Sequence, residues 1–106
     1  MDELCEVIIT APDPEWLAEF TRRLVDDKLC ASGQNFAPIR SIYRWRGEVF
    51  DRTEGRVALR TRRGLLPQIL ERTKHEHPYE VPSVVAVPII DGGPDYIRWI
   101  LDETKG

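Results

Sequence analysis

The spacing of hydrophobic residues predicts that the chain begins with a strand followed by an amphipathic helix. Leu4 to Thr10 contains a short β-branched run, which is typical of a strand. Asp13 suits the N-cap of a helix and Pro14 suits its first position, where no backbone N–H is needed. This helix is expected to end near Lys28 or Leu29. Its apolar residues recur at the intervals of one buried helical stripe: Leu17, Phe20, Leu24 and Val25.

Alternating residues in the middle of the chain predict a long β-hairpin that is rich in arginine. From residue 39 onward, successive side chains are expected to point to opposite faces of a strand. Gly47 and Gly55 are expected to bracket a polar bend, and residues 56–62 are expected to form the second strand. The first strand places one set of side chains on a single face: Ile39, Ser41, Tyr43, Trp45 and Val49.

The second half of the chain predicts a helix, a strand and a closing helix. The helix is expected over residues 64–76, because Pro78 forces the residue before it out of the helical region. Residues 81–90 are nearly all apolar and predict a strand, whose two prolines indicate a strand end, a bulge or an edge. A last helix is expected from residue 94. The apolar stripe of the helix over residues 64–76 consists of Leu65, Leu66, Ile69, Leu70 and Thr73.

This order of elements predicts an α+β fold. Two βαβ units joined by the hairpin give a ferredoxin-like βαββαβ sandwich with a long central β-hairpin and a C-terminal helix, in a single domain over residues 1–106. Right-handed connections place both crossover helices on one face of a four-stranded antiparallel sheet. The opposite face needs a cover that a chain of 106 residues does not supply. Self-association is therefore expected, with Tyr43 and Trp45 of the hairpin in the interface.

Charge is distributed unevenly and leaves two interpretations open. The whole chain has a formal charge of -3, but residues 40–63 hold eight arginines against three acidic side chains. This basic segment could form a nucleic-acid patch. It could also pair with the acidic segments on either side of it, in the same chain or in a neighbouring copy. The negative total charge and the lack of a nucleic-acid-binding motif favour ion pairing, so no nucleic-acid partner is expected.

The sequence lacks the signatures of several classes of protein. No stretch approaches the roughly 18 apolar residues that cross a bilayer, and the first residues do not resemble a secretory signal, so we expect a cytoplasmic protein without membrane contact. The two cysteines, Cys5 and Cys30, are too few for a disulfide framework or a four-cysteine zinc site, and Cys30 is interpreted as a small core residue. No nucleophile elbow, phosphate-binding glycine loop or His-Glu-x-x-His motif is present, so the protein is not expected to be an enzyme.

Four segments of the chain resemble the CutA family of divalent-cation tolerance proteins. They are ITAP at residues 9–12, SIYRWRGE at residues 41–48, HPYEVP at residues 77–82 and YIRW at residues 96–99. The resemblance follows the order of the family over nearly the whole chain. It implies a ferredoxin-like subunit in a tight homotrimer, joined edge to edge by the long hairpins. It also implies a link to the tolerance of divalent cations, copper in particular.

The resemblance further implies a candidate metal site, which this chain matches only in part. Metal-binding relatives carry a cysteine after the first helix and a His-His pair before Pro-Tyr as suggested copper ligands. This chain has Ser32 and the pair Glu76–His77 at those places, and Ile9 where relatives often carry another cysteine. Copper(I) prefers soft thiolate ligands, so its best ligand is missing. Glu76 and His77 are the candidate ligands of a weakly bound divalent cation such as copper, and no cofactor is required. The alternative is that His77 only caps the C-terminus of its helix.

Two hypotheses of function follow. Tyr79, Glu80 and Trp99 are candidates for lining a ligand cleft, although aromatic residues at this density also suit an interface or a core. The leading hypothesis is a homotrimeric cytosolic protein involved in the response to, and tolerance of, divalent metal ions. The alternative is a trimeric signalling or scaffold module, similar in arrangement to PII-type proteins, that binds a small anionic ligand or a protein partner at clefts between subunits.

Overall fold

The computed structural model describes residues 3–106 and has an α+β architecture built on one sheet. In chain order its elements are β1 (Leu4–Ala11), α1 (Pro14–Asp26), β2 (Ser32–Trp45), β3 (Glu48–Arg62), a 3₁₀ turn (Arg63–Leu65), α2 (Leu66–Glu76), β4 (Val84–Ile89) and α3 (Pro94–Asp102). The strands form an antiparallel sheet in the order β2-β3-β1-β4. This arrangement confirms the predicted ferredoxin-like βαββαβ order with a long hairpin and a C-terminal helix.

The first helix begins and ends where short-range interactions satisfy its backbone. The Asp13 carboxylate accepts a hydrogen bond from the backbone N–H of Glu15 at 3.0 Å, and a proline occupies the first turn. The helix ends at Asp26, slightly before the predicted position, because Lys28 adopts a left-handed conformation with φ of 60°. The buried residues of the predicted stripe are Leu17, Phe20 and Leu24.

The hairpin is longer than the alternation of residues predicted. The prediction started its strands at residues 39 and 56, whereas the strands begin at Ser32 and Glu48. The assignment of Gly55 to a bend was wrong, because Gly55 lies within β3 and pairs with β1. Residues before 39 include a glycine, an asparagine and a proline, which are poor strand formers. Pairing with β3 nevertheless holds them in the sheet, with a register shift between Phe36 and Ile39.

The turn of the hairpin consists of only two residues. Trp45 and Glu48 are opposite each other in the ladder, so Arg46 and Gly47 form the loop between them. Both loop residues have positive φ, at 48° and 82°. A two-residue loop with positive φ at both positions matches the right-handed twist of the flanking strands, which is the reason for glycine at position 47.

The core lies between one face of the sheet and the helices α1 and α2. Val7 and Ile9 of β1 and Val57 and Leu59 of β3 are fully buried against the helix residues, among them Ile69 of α2. A smaller cluster joins α3 to the start of β1 through Ile100, Leu4 and Ala31. The two crossover helices therefore share one face, as predicted, and α3 packs separately.

Two further predictions differ from the structure in detail. Leu70 was assigned to the buried stripe of α2, but it is 43% exposed, because the turn of the helix carries it to the outer side while Ile69 and Thr73 face the core. The fourth strand covers Val84–Ile89, a shorter span than residues 81–90. It includes Pro88 and lies at the edge of the sheet, which is one of the positions that its prolines indicated.

Candidate ligand site at the hairpin

A cavity of about 670 Å³ lies where the hairpin faces the segment between α2 and β4. Four of the sequence-predicted site and interface residues line it together: Tyr43, Trp45, Tyr79 and Glu80. Phe50 and Glu54 of β3 are also in its wall. We call this cavity the hairpin groove. Its lining combines aromatic rings with carboxylates, so the groove can receive both apolar and charged parts of a ligand.

Cross-strand pairing arranges the aromatic wall of the hairpin groove. Tyr43 and Phe50 are opposite each other in the β2–β3 ladder, and their rings stack with centroids 5.5 Å apart. The guanidinium of Arg46 lies 5.0 Å from the Trp45 ring centroid, and that of Arg52 lies 5.0 Å from the Phe50 ring centroid. The faces of these rings thus already attract cationic groups.

His77 fastens the segment after α2 to the first strand. Its ring is buried, with Nε2 2.8 Å from the carbonyl oxygen of Thr10, and its Nδ1 accepts a hydrogen bond from the backbone N–H of Tyr79 at 3.0 Å. An Nδ1 that accepts requires the proton of a neutral imidazole to be on Nε2, where it is donated to Thr10. Both ring nitrogens are therefore occupied by backbone groups, and the segment carrying Tyr79 is held beside the hairpin.

Glu54 is a site residue that the sequence prediction missed. It is only 3% exposed, and the hydroxyl of Tyr79 donates a hydrogen bond of 2.7 Å to its Oε2. Burial, followed by the nearby Glu54 carboxylate, raises the pKa of Tyr79 well above its ordinary value, so this phenol remains a hydrogen-bond donor. The assignment of residues 47–55 to a polar bend concealed the signal, which is that Glu54 shares the strand phase of Phe50 and Arg52.

The oxygen and nitrogen atoms with which Glu76 and His77 could bind a metal ion already make hydrogen bonds within the protein. Oε1 of Glu76 accepts from Arg23 and Oε2 accepts from Arg72, each at 2.9 Å. Burial alone would raise the pKa of Glu76, but the hydrogen bonds from Arg72 and Arg23 outweigh it and lower this pKa. The neighbouring His77 is held at both ring nitrogens, as described above. Within residues 3–106, no three His, Cys, Asp or Glu side chains are grouped so that they could hold a metal ion. These residues do not fit a preformed metal site, and the metal role of Glu76 and His77 stays a prediction.

The remaining cleft candidates lie in different places. Glu80 is exposed in the wall of the hairpin groove and forms an ion pair with Arg46 across its rim. Trp99 is on α3, where its ring stacks on Tyr96 with centroids 5.5 Å apart. The hydroxyl of Tyr96 in turn accepts a hydrogen bond from Arg60 at 2.9 Å. Trp99 does not line the hairpin groove, so the structure separates it from Tyr79 and Glu80.

The sheet face that points away from α1 and α2 carries exposed apolar side chains. Phe36 of β2 is 57% exposed, and Val85 and Val87 of β4 are also exposed. The ladder places all three on this side, because their partners alternate with the buried core positions of β1 and β3. We call this surface the open face. Its strands β2 and β4 are also the two edges of the sheet.

The arginines of the hairpin pair extensively with acidic side chains of the same chain. Arg40 makes two hydrogen bonds to Asp51, its diagonal neighbour across the β2–β3 ladder, at 2.9 and 2.6 Å, which lower the pKa of that carboxyl. Other arginines between residues 40 and 63 pair with acidic residues elsewhere in the chain: Arg46 with Glu80, Arg60 with Glu6 and Arg63 with Glu3. Much of the basic charge is therefore neutralised internally, as the acidic flanks of this segment indicated.

The helices in the described part of the chain are too short and too polar to cross a membrane.

Residues 5–103 match the family model described as CutA1 divalent ion tolerance protein. The chain is similar to the divalent-cation tolerance protein CutA of Thermus thermophilus, with 37% identity over 92% of this chain and 95% of that protein. It is also similar to the crystal structure of CutA1 from Oryza sativa, with a TM-score of 0.94 and 31% identity over 98% of this chain and 95% of that one. The periplasmic divalent cation tolerance protein CutA from Archaeoglobus fulgidus superposes with a TM-score of 0.92 and 29% identity over 96% of this chain and 99% of that one. The names of these relatives state no enzymatic reaction.

Proposed function

This chain belongs to the CutA1 family of divalent ion tolerance proteins, and from that premise we propose that it is a cytoplasmic homotrimer, without catalytic activity, that takes part in the response to divalent metal ions. The observation that supports assembly most strongly is the open face. Exposed apolar side chains on a sheet face of a small domain are typical of an interface, and unpaired strand edges are templates for further pairing. Both features lie on β2 and β4.

The hairpin supplies the second part of the proposed interface. Trp45 lies at its tip and is 37% exposed in the single chain, next to the stacked pair of Tyr43 and Phe50. Tyrosine and tryptophan combine a large apolar ring with a polar atom, which suits a surface that another subunit covers. Three copies arranged about an axis would cover the open face of each subunit with parts of the other two.

Assembly is tested by measuring the mass of the protein in solution. We expect sedimentation or light scattering to give three times the chain mass of 12.3 kDa. Phe36→Glu, which places a charge on the open face, and Trp45→Ala are expected to weaken the assembly. Leu70→Ala removes a similarly exposed apolar side chain from the outer side of α2 and is the control, expected to leave the mass unchanged. A stable single subunit at micromolar concentration would contradict the proposal.

Copper is the first divalent ion to test, and we propose that it binds weakly and is not a resident cofactor. Uptake at the predicted pair would have to displace the contacts of Glu76 with arginine and those of His77 with the backbone. Calorimetric titration with a copper salt is expected to show weak uptake that His77→Ala removes. The control is His75→Ala, because His75 is exposed and bonds only Glu71 on its own helix. Equal uptake by all three proteins would reject Glu76 and His77 as ligands.

The cytoplasmic location is proposed from the reduced cysteines. Cys5 and Cys30 are both buried and unpaired, which suits a compartment that keeps thiols reduced. One relative is described as periplasmic, so the location requires its own measurement. Fractionation of cells that express the full chain is expected to recover it with the cytoplasmic proteins. Recovery in another compartment would contradict this part of the proposal alone.

The alternative of a cleft that binds a small anion is less well supported by the hairpin groove. The buried charge in the wall of the groove is the carboxylate of Glu54, which repels anions. The arginines nearby are at its rim: Arg46 is paired with Glu80, and Arg52 is exposed to solvent that screens its charge. The electrostatic character of the groove therefore favours a cation.

A further inference from the structure

We propose that Asp91 and Gly92 form a site of covalent self-modification, at which the aspartate is converted into isoaspartate through a cyclic imide. The two residues lie in the exposed loop between β4 and α3. They are the one Asp–Gly pair of the chain, and the chain has no Asn–Gly pair. Neither residue belongs to the open face or to the hairpin, on which the proposed assembly depends. The inference goes beyond the response to metal ions and does not rest on it.

The first argument is the position of the Asp91 carboxyl group beside the next backbone nitrogen. The backbone N–H of Gly92 donates a hydrogen bond of 2.8 Å to Oδ1 of Asp91. Formation of the imide requires this same nitrogen to attack the carboxyl carbon, to which Oδ1 is bonded. Two reacting groups that are already held together lose less freedom on reaching the transition state, which lowers the barrier.

The proposed reaction uses only groups of the chain and water. The nitrogen of Gly92 forms a bond to Cγ of Asp91, and the hydroxyl of the protonated carboxyl leaves with the N–H proton as one molecule of water. A second molecule of water then opens the ring at either of its carbonyl carbons. Opening at the backbone carbonyl gives isoaspartate, in which the chain continues through the side-chain carbons, and opening at the other carbonyl restores aspartate. The sequence of steps needs no oxidant or reductant.

The second argument is that the loop leaves the nitrogen of Gly92 available. The pairing of β4 with β1 ends at Ile89 and α3 begins at Pro94, so the residues between them belong to neither element. Within residues 3–106, the Asp91 carboxylate is the only hydrogen-bond partner of the Gly92 N–H. The reaction therefore breaks no hydrogen bond of the sheet or the helix. Both residues are exposed, so water can reach the ring and open it.

The third argument concerns the packing that requires glycine at position 92. A Cβ atom there would be 3.1 Å from Cδ1 and 3.5 Å from Cγ1 of Ile97. Ile97 in turn packs against the cluster of Leu4, Ala31 and Ile100 that holds α3 on the sheet. Glycine allows this close approach, and it also leaves the nitrogen without a neighbouring side chain that would hinder its attack. The contact with α3 therefore favours the residue that makes Asp91 reactive.

The experiment incubates the full chain in its native assembly, in mildly acidic buffer at a temperature below its Tm. A carboxyl methyltransferase specific for isoaspartate then transfers a labelled methyl group from S-adenosylmethionine to the α-carboxylate that the conversion exposes. Mass spectrometry of the digested protein locates the label. We expect the label at Asp91 and not at Asp13 or Asp51. Pro14 gives Asp13 no N–H to react with, and Arg40 holds the Asp51 carboxylate within the hairpin.

A synthetic peptide of residues 88–96 measures the same reaction without the fold. A rigid loop of unsuitable geometry would protect the aspartate, so its conversion would be slower in the protein than in the peptide. The hydrogen bond between Gly92 and Asp91 predicts the opposite. We expect the folded protein to form isoaspartate at least as fast as the peptide does.

Three variants identify the residue and the route. Asp91→Glu keeps the charge but has to close a larger ring, so we expect at least about tenfold less labelled product. Asp91→Asn passes through the same imide with loss of ammonia, and it should react faster than the wild type at neutral pH because its amide carries no negative charge. The matched control is Asp95→Glu, in the exposed first turn of α3, which should leave the label at Asp91 unchanged.

Three results would overturn the proposal: no label at Asp91 in the wild type, conversion at least about tenfold slower in the folded protein than in the peptide, or Asp91→Asn that reacts no faster than the wild type. The molecular mass and copper uptake of the same samples are measured separately. A trimer that takes up copper but gains no label at Asp91 would overturn only this inference, whereas a single subunit that gains the label would overturn only the proposed assembly.

Discussion

Gly33 lies where β2 passes closely over α1, and its replacement by alanine tests whether this packing is as tight as the structure shows. A Cβ atom at position 33 would be 2.3 Å from Cγ2 of Thr21, 3.1 Å from Cδ2 of Leu59 and 3.2 Å from Cγ2 of Val57. Carbon atoms are in favourable contact at about 3.5–4.0 Å, so the first of these distances requires a displacement of more than an ångström. Gly33→Ala should therefore strain the contact between the hairpin and the first helix.

The magnitude depends on how easily Thr21 can move. Its hydroxyl donates a hydrogen bond of 2.7 Å to the carbonyl of Leu17 and is 3.4 Å from the amide nitrogen of Asn35. Rotation of the side chain away from position 33 would disturb the short bond to Leu17, while a shift of the backbone would disturb the strand. Added methyl groups in a packed core cost about 1–3 kcal/mol, and we expect Gly33→Ala to be near the upper end. Each kcal/mol corresponds to roughly 4–8 °C in Tm for a domain of this size.

Two matched variants separate the collision from the general effect of replacing glycine. A Cβ atom at Gly64 would meet no heavy atom within 4 Å, so Gly64→Ala is expected to leave stability unchanged or raise it by up to about 1 kcal/mol. Thr21→Ser removes the methyl group that collides and keeps the hydroxyl. Gly33→Ala should therefore cost at least about 1 kcal/mol less when it is combined with Thr21→Ser.

The assay is equilibrium unfolding in urea, followed by circular dichroism at one fixed chain concentration, because the proposed assembly would make stability depend on concentration. Wild-type stability of Gly33→Ala would refute the packing argument. Strict additivity of Gly33→Ala and Thr21→Ser would show that the methyl group of Thr21 is not the cause. An equal loss in Gly64→Ala, where no collision occurs, would show that the loss in Gly33→Ala does not arise from the contact with Thr21.

Three other predictions concern ionisable groups in the site and the core. The arginine partners of Glu76 lower its pKa against the effect of burial, so its stabilising contribution is present above the ordinary value of 4.5 and is lost as pH falls through the lowered pKa. Glu76→Gln should therefore reduce Tm at neutral pH, and progressively less as pH falls below 4.5, whereas Glu19→Gln should leave Tm unchanged throughout. A reduction by Glu76→Gln that does not depend on pH would contradict this. Burial raises the pKa of the Cys30 thiol to about 12. We therefore expect this thiol not to react with a chromogenic disulfide at neutral pH until the protein is unfolded. Rapid labelling of Cys30 in the native protein would contradict this expectation. Tyr79→Phe removes the donor to buried Glu54 and should destabilise the protein by about 1–3 kcal/mol in urea unfolding; a loss below about 0.5 kcal/mol would show that this hydrogen bond adds little.

Local patterns were sufficient for the order of the elements. The cap at Asp13 and the spacing of Leu17, Phe20 and Leu24 define a helix through interactions among near neighbours in the chain, and the structure confirms them. The length of the hairpin, in contrast, was not predictable from local patterns. Residues 32–38 have weak strand propensity, and they are in the sheet because β3 lies beside them.

The candidate site was recognised in part, and the missing parts depend on contacts between distant residues. Tyr43, Trp45, Tyr79 and Glu80 were selected from the sequence, and the structure brings them to one groove. Glu54 was not selected, because its burial arises only when Tyr79, 25 residues further along the chain, is placed over it.

The sequence by itself determined the order of strands and helices, the start of the first helix at its Asp13 cap, and the membership of the chain in its family. Only the tertiary structure decided that Glu54 is buried in the wall of the hairpin groove. It also decided that the carboxylate oxygens of Glu76 and the ring nitrogens of His77 make hydrogen bonds to other groups of the chain. The physical reason is the range of the interactions. Hydrophobic periodicity, caps and turns act between neighbouring residues, whereas burial and the pairing of charges depend on which distant side chains the fold brings together.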